Sequence, residues 1–134
     1  MRSFSSTELD ILFQRAELSS RKRAHLNLHV SFDDKVQRLY IAMLKGSYVE
    51  PHYHKLPHQW EMFLVLQGVI QLTLYNADSS VIKSMMIGEG LEVQSIELQP
   101  NDIHSVECIS DRALMLEIKE GPFRPKISKF FPNW

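Results

Sequence analysis

The chain has 134 residues and a mass of 15.6 kDa, which is about the size of one domain. Its formal net charge of −1 gives no electrostatic case for nucleic acid or a membrane surface as a partner. A single cysteine excludes a disulfide framework and a zinc site made of thiolates. We see neither an apolar signal-peptide core nor a run of about 20 apolar residues, so we expect a cytoplasmic protein.

The first predicted element is a helix that ends at about Leu18. Ser5 followed by Glu8 fits a capping box, in which each side chain accepts a hydrogen bond from a backbone N–H at the helix start. The apolar residues that follow recur at helical spacing and form one stripe: Leu9, Leu12, Phe13 and Ala16.

After this helix the hydrophobic period changes to two, which is typical of strands. In "AHLNLHV", Leu26, Leu28 and Val30 alternate with polar residues. The segments with a strand pattern are 24–30, 38–46, 47–54, 61–68, 69–75, 81–87, 91–98, 103–109 and 113–119. Turn-forming residues separate most of them, so we expect an all-β antiparallel sandwich or barrel.

No repeat or linker divides the chain, so we expect a single domain. A helical lead-in at 1–20 precedes a barrel at 21–120. The tail at 121–134 is rich in proline and aromatic residues, and we expect it to pack on the barrel.

The strongest functional signal is a cluster of histidines. His52 and His54 are two apart on a predicted strand, so both side chains leave the same face and can bind one ion. Glu61 opens the next strand and can face them, and His104 can add a further ligand from a later strand. Three imidazoles and a carboxylate leave coordination positions open, as a catalytic metal site requires.

The alternative is that these histidines lie exposed on a strand, and the spacing argues against it. Gly46, His52, His54, Glu61 and Gly68 follow the pattern G-x5-H-x-H-x3–6-E-x6-G, which resembles the first motif of the cupin superfamily.

Two positions depart from the usual cupin patterns. Six residues separate His54 from Glu61, so His58 is an alternative ligand, although it follows Pro57 in a predicted loop. "LQPNDIH" stands in the position of the second cupin motif, where Asn101 takes the place of a glycine. Asparagine tolerates a left-handed backbone better than most residues.

Longer stretches, among them "WEMFLVLQG", "ELQPNDIHSV" and "KFFPNW", resemble the WbuC family of small cupin metalloproteins. This resemblance implies a double-stranded β-helix, or jelly-roll barrel, with one divalent transition metal ion, such as Fe, Zn, Ni or Mn. It also implies a homodimer and a link to bacterial surface polysaccharide, but no settled reaction.

Further residues are candidates for substrate binding. Arg23, Asn27 and His29 share one strand face, from which Arg23 can hold an anionic group. The alternative is an edge strand with a polar outer face. Tyr48 and Trp60 flank the histidines and can form walls for a ligand, although strand aromatics are often core. Glu117 has the pattern of an outward-facing strand charge.

Three functions are consistent with these residues. The first is a metalloenzyme for a small oxygen-bearing substrate, a sugar or a hydroxy or keto acid, acting as an isomerase, epimerase or lyase, or with iron as a dioxygenase. The second is a non-catalytic, metal-dependent binding module. The third is a metal-free cupin acting on nucleotide sugars, against which the complete set of histidines and glutamate argues.

Overall fold

The computed structural model describes all 134 residues, and its first element is the predicted helix. Helix α1 spans Ser6–Leu18 and begins with the expected capping box. The Ser5 N–H donates to Glu8 Oε2 at 2.7 Å, and the Glu8 N–H donates to the Ser5 hydroxyl at 3.3 Å. No helix of the protein combines the length and the apolar character needed to cross a bilayer.

Nine strands and one short 3-10 helix follow α1. They are β1 Arg23–Asn27, β2 Val36–Leu44, β3 Tyr48–His52, β4 Glu61–Gln67, β5 Val69–Tyr75, β6 Val81–Gly88, β7 Ser95–Leu98, β8 Ile103–Cys108, β9 Arg112–Glu120 and the 3-10 helix Pro125–Ile127. Each strand overlaps one of the predicted segments.

Strand β1 ends earlier than the alternation predicts. The chain leaves the sheet after Asn27 and turns, and the Asp34 carboxylate accepts a hydrogen bond from the Val30 N–H at 2.9 Å. Val30 is therefore 94% exposed instead of lying beside Leu26 and Leu28.

The strands form two antiparallel sheets. One has five strands in the order β1-β2-β9-β4-β7, and the other has four in the order β3-β8-β5-β6. Thirteen buried apolar residues from both sheets make the main core, in which Met43, Ile70 and Ile87 are fully buried. This is the jelly-roll architecture that the sequence predicts.

Helix α1 covers the outer face of the five-stranded sheet. Leu12, Phe13 and Ala16 pack on Ala42 of β2 and Leu114 of β9. The neighbours of these two strand residues, such as Met43 and Met115, point into the main core because side chains alternate along a strand. Strands β2 and β9 thus carry apolar residues on both faces.

Two turn residues confirm the backbone expected from the motifs. Gly68 has φ +71°, and a Cβ there would lie 2.1 Å from the Arg112 carbonyl oxygen, so only glycine fits the close turn between β4 and β5. Asn101 has φ +72°, the left-handed conformation that its place in the second motif requires. The Asn101 N–H also donates to the His54 carbonyl at 2.7 Å, which joins the two motifs.

Residues 121–134, called the tail below, run back along the barrel. The Phe123 N–H donates to the Phe32 carbonyl at 2.7 Å, and Tyr53 and Phe130 exchange backbone hydrogen bonds of 3.0 Å. Trp134 Nε1 donates to the Ala77 carbonyl at 2.9 Å. The tail therefore brings its residues close to the loop that carries His54.

Candidate metal centre

Four side chains that are distant in sequence meet inside the barrel. His52 ends β3, His54 lies two residues later, Glu61 begins β4 and His104 lies on β8. One ligand atom from each residue lies within 4.8 Å of the corresponding atoms of the others. His52, Glu61 and His104 are buried, and the His54 side chain is 14% exposed.

Strand pairing explains why these residues meet. His52 and His104 are direct partners in the β3–β8 pair, with ring centroids 4.3 Å apart. A register shift between Val49 and His52 interrupts this pair, as at a β-bulge, which re-aims side chains. Glu61 comes from the other sheet and closes the site from the opposite wall.

Backbone carbonyls hold all three imidazole rings. The Nδ1 atom of His52 faces the Glu50 carbonyl oxygen at 2.8 Å, and that of His104 faces the Asp102 carbonyl oxygen at 2.9 Å. His54 Nδ1 contacts the Ser128 carbonyl oxygen of the tail. A carbonyl oxygen can only accept, so each Nδ1 carries the hydrogen, and each neutral ring has its lone pair on Nε2.

The Nε2 atoms of His54 and His104 lie close to Glu61, but a neutral ring that carries its hydrogen on Nδ1 has no N–H at Nε2 to donate to the carboxylate. Glu61 Oε1 is 2.9 Å from His104 Nε2 and 3.2 Å from His54 Nε2. His104 Nε2 is buried and has no hydrogen bond of acceptable geometry, despite the short distance. A lone pair facing a carboxylate oxygen at this distance is stable only with positive charge between the two atoms.

The pKa shifts follow from the same contacts. Burial works to raise the pKa of Glu61, but His104 and His54 outweigh it and hold this pKa well below its usual range. Burial works to lower the pKa of His54, but Glu61 and the Ser128 carbonyl raise it overall. Burial, helped by His104 and Lys129, lowers the pKa of His52 to about 3, so this ring is neutral near pH 7.

The donor set fits a transition metal ion. Three imidazoles whose Nε2 lone pairs, in the neutral form, point to one place, together with one ionised carboxylate, are ligands that Zn, Fe, Ni and Mn accept in proteins. Hydrogen bonds on the far side of each ring are the usual support for such ligands. A cation would also satisfy the unpaired His104 Nε2.

A cavity of about 350 Å³ adjoins the four-residue group. His52, His54 and Glu61 line it directly. Part of the wall is apolar, and it is formed by Ile41, Met43, Val49, Phe63, Val106 and Met115. Charged side chains from β9, from the chain around β1 and from the tail form a second part: Arg21, Arg23, Glu117, Lys119 and Lys129. The lining is completed by His25, Phe123, Pro125 and Ser128.

The structure places the predicted substrate-binding residues in different surroundings. Arg23 lines the cavity, and Trp60 lines a small adjoining hollow and donates from Nε1 to Glu120 at 3.1 Å. Asn27, His29 and Tyr48 do not line the cavity. His29 Nδ1 instead accepts the Arg38 N–H at 3.0 Å, and Tyr48 is 49% exposed.

The alternative ligand His58 lies in a turn outside the four-residue group. Glu61 is the residue that faces the histidines.

The interpretation of Glu117 as an outward charge is wrong. Glu117 is 9% exposed, lines the cavity and lies 3.4 Å from Lys119 Nζ. On β9, Glu117 shares the inward face of Ala113 and Met115, because alternate side chains of a strand point the same way. The two-residue period therefore predicts that Glu117 faces the barrel interior.

The sequence pattern puts His25 on the strand face of Arg23 but assigns it no role, and sequence reasoning missed three further cavity residues, Lys119, Ser128 and Lys129. His25 and Lys119 follow the strand period. Ser128 and Lys129 have no sequence signal, because the folding of the tail brings them to the site.

Solved structures with the same fold include three well-matched relatives. CapF, a capsular polysaccharide assembling protein from Staphylococcus aureus, is 17% identical, with a TM-score of 0.68 over 84% of this chain and 32% of its own. Recombinant oxalate oxidase in complex with glycolate is 14% identical, with a TM-score of 0.63 over 84% of this chain and 56% of its own. Oxalate decarboxylase from Bacillus subtilis is 16% identical, with a TM-score of 0.62 over 81% of this chain and 27% of its own.

These likenesses show the fold, and the chain is a cupin-fold protein whose histidines and glutamate could hold a metal ion. It spans only 32% and 56% of the first two relatives. Residues 4–87 match the family described as Domain of unknown function (DUF6016), and the chain belongs to that family. No curated protein matches it in sequence.

Proposed function

We propose that this protein is a small metalloenzyme acting on a small oxygen-bearing molecule, a sugar or a hydroxy or keto acid. His52, His54, Glu61 and His104 would hold one divalent transition metal ion, Fe, Zn, Ni or Mn. The observation that carries the proposal is the convergence of their ligand atoms within 4.8 Å, with each Nδ1 held by a backbone carbonyl.

A bound metal ion would supply Lewis acidity, polarising an oxygen of the substrate. The residues of the chain supply the other parts of the site. The apolar wall excludes water from one side of the cavity and strengthens the electrostatic interactions inside. Glu117 and Lys119 face the same space and are placed to exchange a proton with a bound molecule.

The comparisons support a link to small polar substrates and to surface polysaccharide. One relative is named for capsular polysaccharide assembly, and another holds glycolate, a hydroxy acid. The resemblance to the WbuC family points to the same polysaccharide context. We therefore propose that this protein is a small cupin linked to surface-polysaccharide metabolism, and assays will identify its reaction.

A homodimer is part of the same proposal. Strand β6 is an edge of the four-stranded sheet, and its side chains Val81, Ile82 and Met86 are 58%, 60% and 46% exposed. Pairing such an edge with a second copy would cover it. Light scattering in solution tests this proposal, with twice the chain mass of 15.6 kDa expected and a single chain mass contradicting it.

The direct test of the metal site is elemental analysis of protein purified without added metal. We expect wild type to contain close to one transition metal ion per chain, and a His52→Ala/His54→Ala variant to contain almost none. His58→Ala is the matched control and should keep the wild-type content. Equal metal in wild type and the double variant, with both folded by circular dichroism, would reject the assignment.

Activity assays then separate the reaction classes. Oxygen consumption by the iron-loaded protein with catechols, diketones or thiols would identify a dioxygenase. Conversion of sugars or hydroxy acids without oxygen uptake would identify an isomerase, epimerase or lyase. Tight metal-dependent ligand binding with no turnover would instead identify a non-catalytic binding module.

A further inference from the structure

Unpaired positive charge is concentrated at the cavity that holds the candidate ligands. Arg21, Arg23 and Lys129 line it, and none of them has a carboxylate within ion-pair distance. Only Lys119 has such a partner, Glu117, at 3.4 Å. The whole chain has a net charge of −1, so this excess is local to the cavity.

Arg23 is held in place with part of its guanidinium group free. Its Nη1 donates to the Tyr48 carbonyl oxygen at 3.3 Å, whereas Nε and Nη2 make no hydrogen bond to the protein. Lys129 Nζ has no hydrogen-bond partner either. The cation–π contact to the neighbouring Phe130 ring is made by Lys55 and not by Lys129.

These positive groups also disfavour one another. Partial burial, helped by Arg21, lowers the pKa of Arg23. Partial burial and Arg23 also lower the pKa of Lys129, and they outweigh the carboxylates of Glu61, Glu117 and Glu50, which act to raise it. An anion bound between them would offset this repulsion and accept charge-assisted hydrogen bonds from both groups.

Another part of the cavity lining has the reverse character, and it includes Met43, the cross-strand partner of Arg23. Met43, Phe63, Val106 and Met115 are each at most 3% exposed and offer no hydrogen bonds. A sugar bound there would lose water from several hydroxyl groups without replacement, which costs free energy for each group. An apolar body fits this wall, and the cavity volume of about 350 Å³ is near the lower end for ligand sites.

We propose that the cavity binds a small carboxylic acid with an apolar body, its carboxylate between Arg23 and Lys129 and a second oxygen towards the four candidate ligands. This inference rests on the proposed metalloenzyme function for the role of the second oxygen, and it selects an acid over a sugar. The carboxylate site itself depends on residues that are not candidate metal ligands.

The test is calorimetric binding to zinc-loaded protein with matched probes. Mandelate has a carboxylate, a hydroxyl and an apolar ring, and mandelamide differs from it by the loss of charge. We expect the Kd for mandelate to be at least about tenfold lower than that for mandelamide, since a charge-assisted hydrogen bond is lost. Glucose and inorganic phosphate should bind more weakly than mandelate.

Variants identify the residues responsible. Arg23→Gln and Lys129→Gln should each raise the Kd for mandelate about tenfold, whereas Lys126→Gln, an exposed tail residue that does not line the cavity, should leave it unchanged. Equal affinity for mandelate and mandelamide, phosphate binding as tight as mandelate, or wild-type affinity in both variants would each overturn the proposal.

Metal content measured on the same samples keeps the two proposals separate. If the protein contains zinc but does not prefer mandelate, the metal site is supported and the carboxylate site is rejected. Protein that holds no zinc but binds mandelate through Arg23 and Lys129 retains the carboxylate site and loses the metalloenzyme.

Discussion

One end of the barrel interior is packed with apolar side chains, and the other end holds the cavity and the candidate ligands, yet the same strands build both. Along the inward face of β9, buried Ala113 and Met115 are followed by Glu117 and Lys119. The backbone alternation is unchanged between the two ends, and only the chemistry of the inward residues differs.

Strands β4 and β8 make the same change. On β8, Cys108 and Val106 belong to the core, and His104 is the next inward residue. On β4, Phe63 lies next to Glu61 on the inward face. A packed end thus gives the sheets a rigid support, on which a few polar positions at the other end can be held in a defined geometry.

The largest expected effect is on the free energy of unfolding, which should depend much more on a residue of the packed end than on a surface residue. Ile70→Ala removes a fully buried side chain and should lower the free energy of unfolding by about 2–5 kcal/mol, because it leaves a cavity in the core. Urea denaturation of the metal-free protein measures this. Ile82→Ala, on a residue that is 60% exposed, is the control. A loss below about 1 kcal/mol at Ile70 would contradict a closely packed end.

The next effect concerns the tail at the open end. Deleting residues 128–134 removes the Ser128 carbonyl that holds His54 Nδ1 and should weaken metal binding about 10–100-fold, as loss of a supporting contact does elsewhere. Competition with a chromophoric chelator measures the affinity. Deleting only 131–134 keeps both Ser128 and Phe130 and should change little. Equal affinities in the two deletions would show that the tail does not support His54.

A smaller effect is expected from pH. A metal ion needs the unprotonated Nε2, and the pKa of His54 is raised, so protons compete with the metal at a higher pH than they would at an ordinary histidine. Metal affinity should fall by roughly tenfold per pH unit below that pKa, for one proton displaced. Titrations at pH 8, 7 and 6 test this, and constant affinity over that range would contradict it.

In the metal-free protein, a lower pH has the opposite effect: it favours the folded state, whereas it weakens metal binding. The raised pKa of His54 contributes stability below its unfolded value, and this contribution is lost as pH rises through the folded pKa. Urea denaturation without metal at the same pH values should therefore show this contribution decreasing upward, after correction with a His54→Gln variant.

The smallest effect lies outside the barrel. Ser5→Ala removes the helix cap of α1 and should cost about 1 kcal/mol of unfolding free energy, with metal affinity unchanged. Thermal denaturation measures it, and Ser3→Ala, outside the helix, is the control. A change in metal affinity would mean that α1 and the open end are coupled.

Local patterns were enough to predict much of the fold. The capping box of Ser5 and Glu8 and the left-handed turn at Asn101 depend on neighbouring residues only, and the structure contains both. The spacing of His52, His54 and Glu61 between two glycines also predicted which side chains lie together. Their role as metal ligands stays a prediction.

The sidedness of the strands was harder to predict. On β9, Leu114, Leu116 and Ile118 face away from the barrel interior, with Leu114 under α1, and the polar residues Glu117 and Lys119 face inward. A rule that places apolar residues inside therefore assigns the wrong face here. His29 lies beyond the end of β1, whereas Asn27, the last residue of β1, shares the face of Arg23 but is exposed and does not line the cavity.

The sequence by itself determined the helix start, the strand period, the turns and the cluster of histidines and glutamate, because each depends on residues close together in the chain. Only the tertiary structure decided which face of β9 lines the cavity and brought Ser128 and Lys129 of the tail to it. These outcomes depend on contacts between distant segments, whose free energies no local pattern contains.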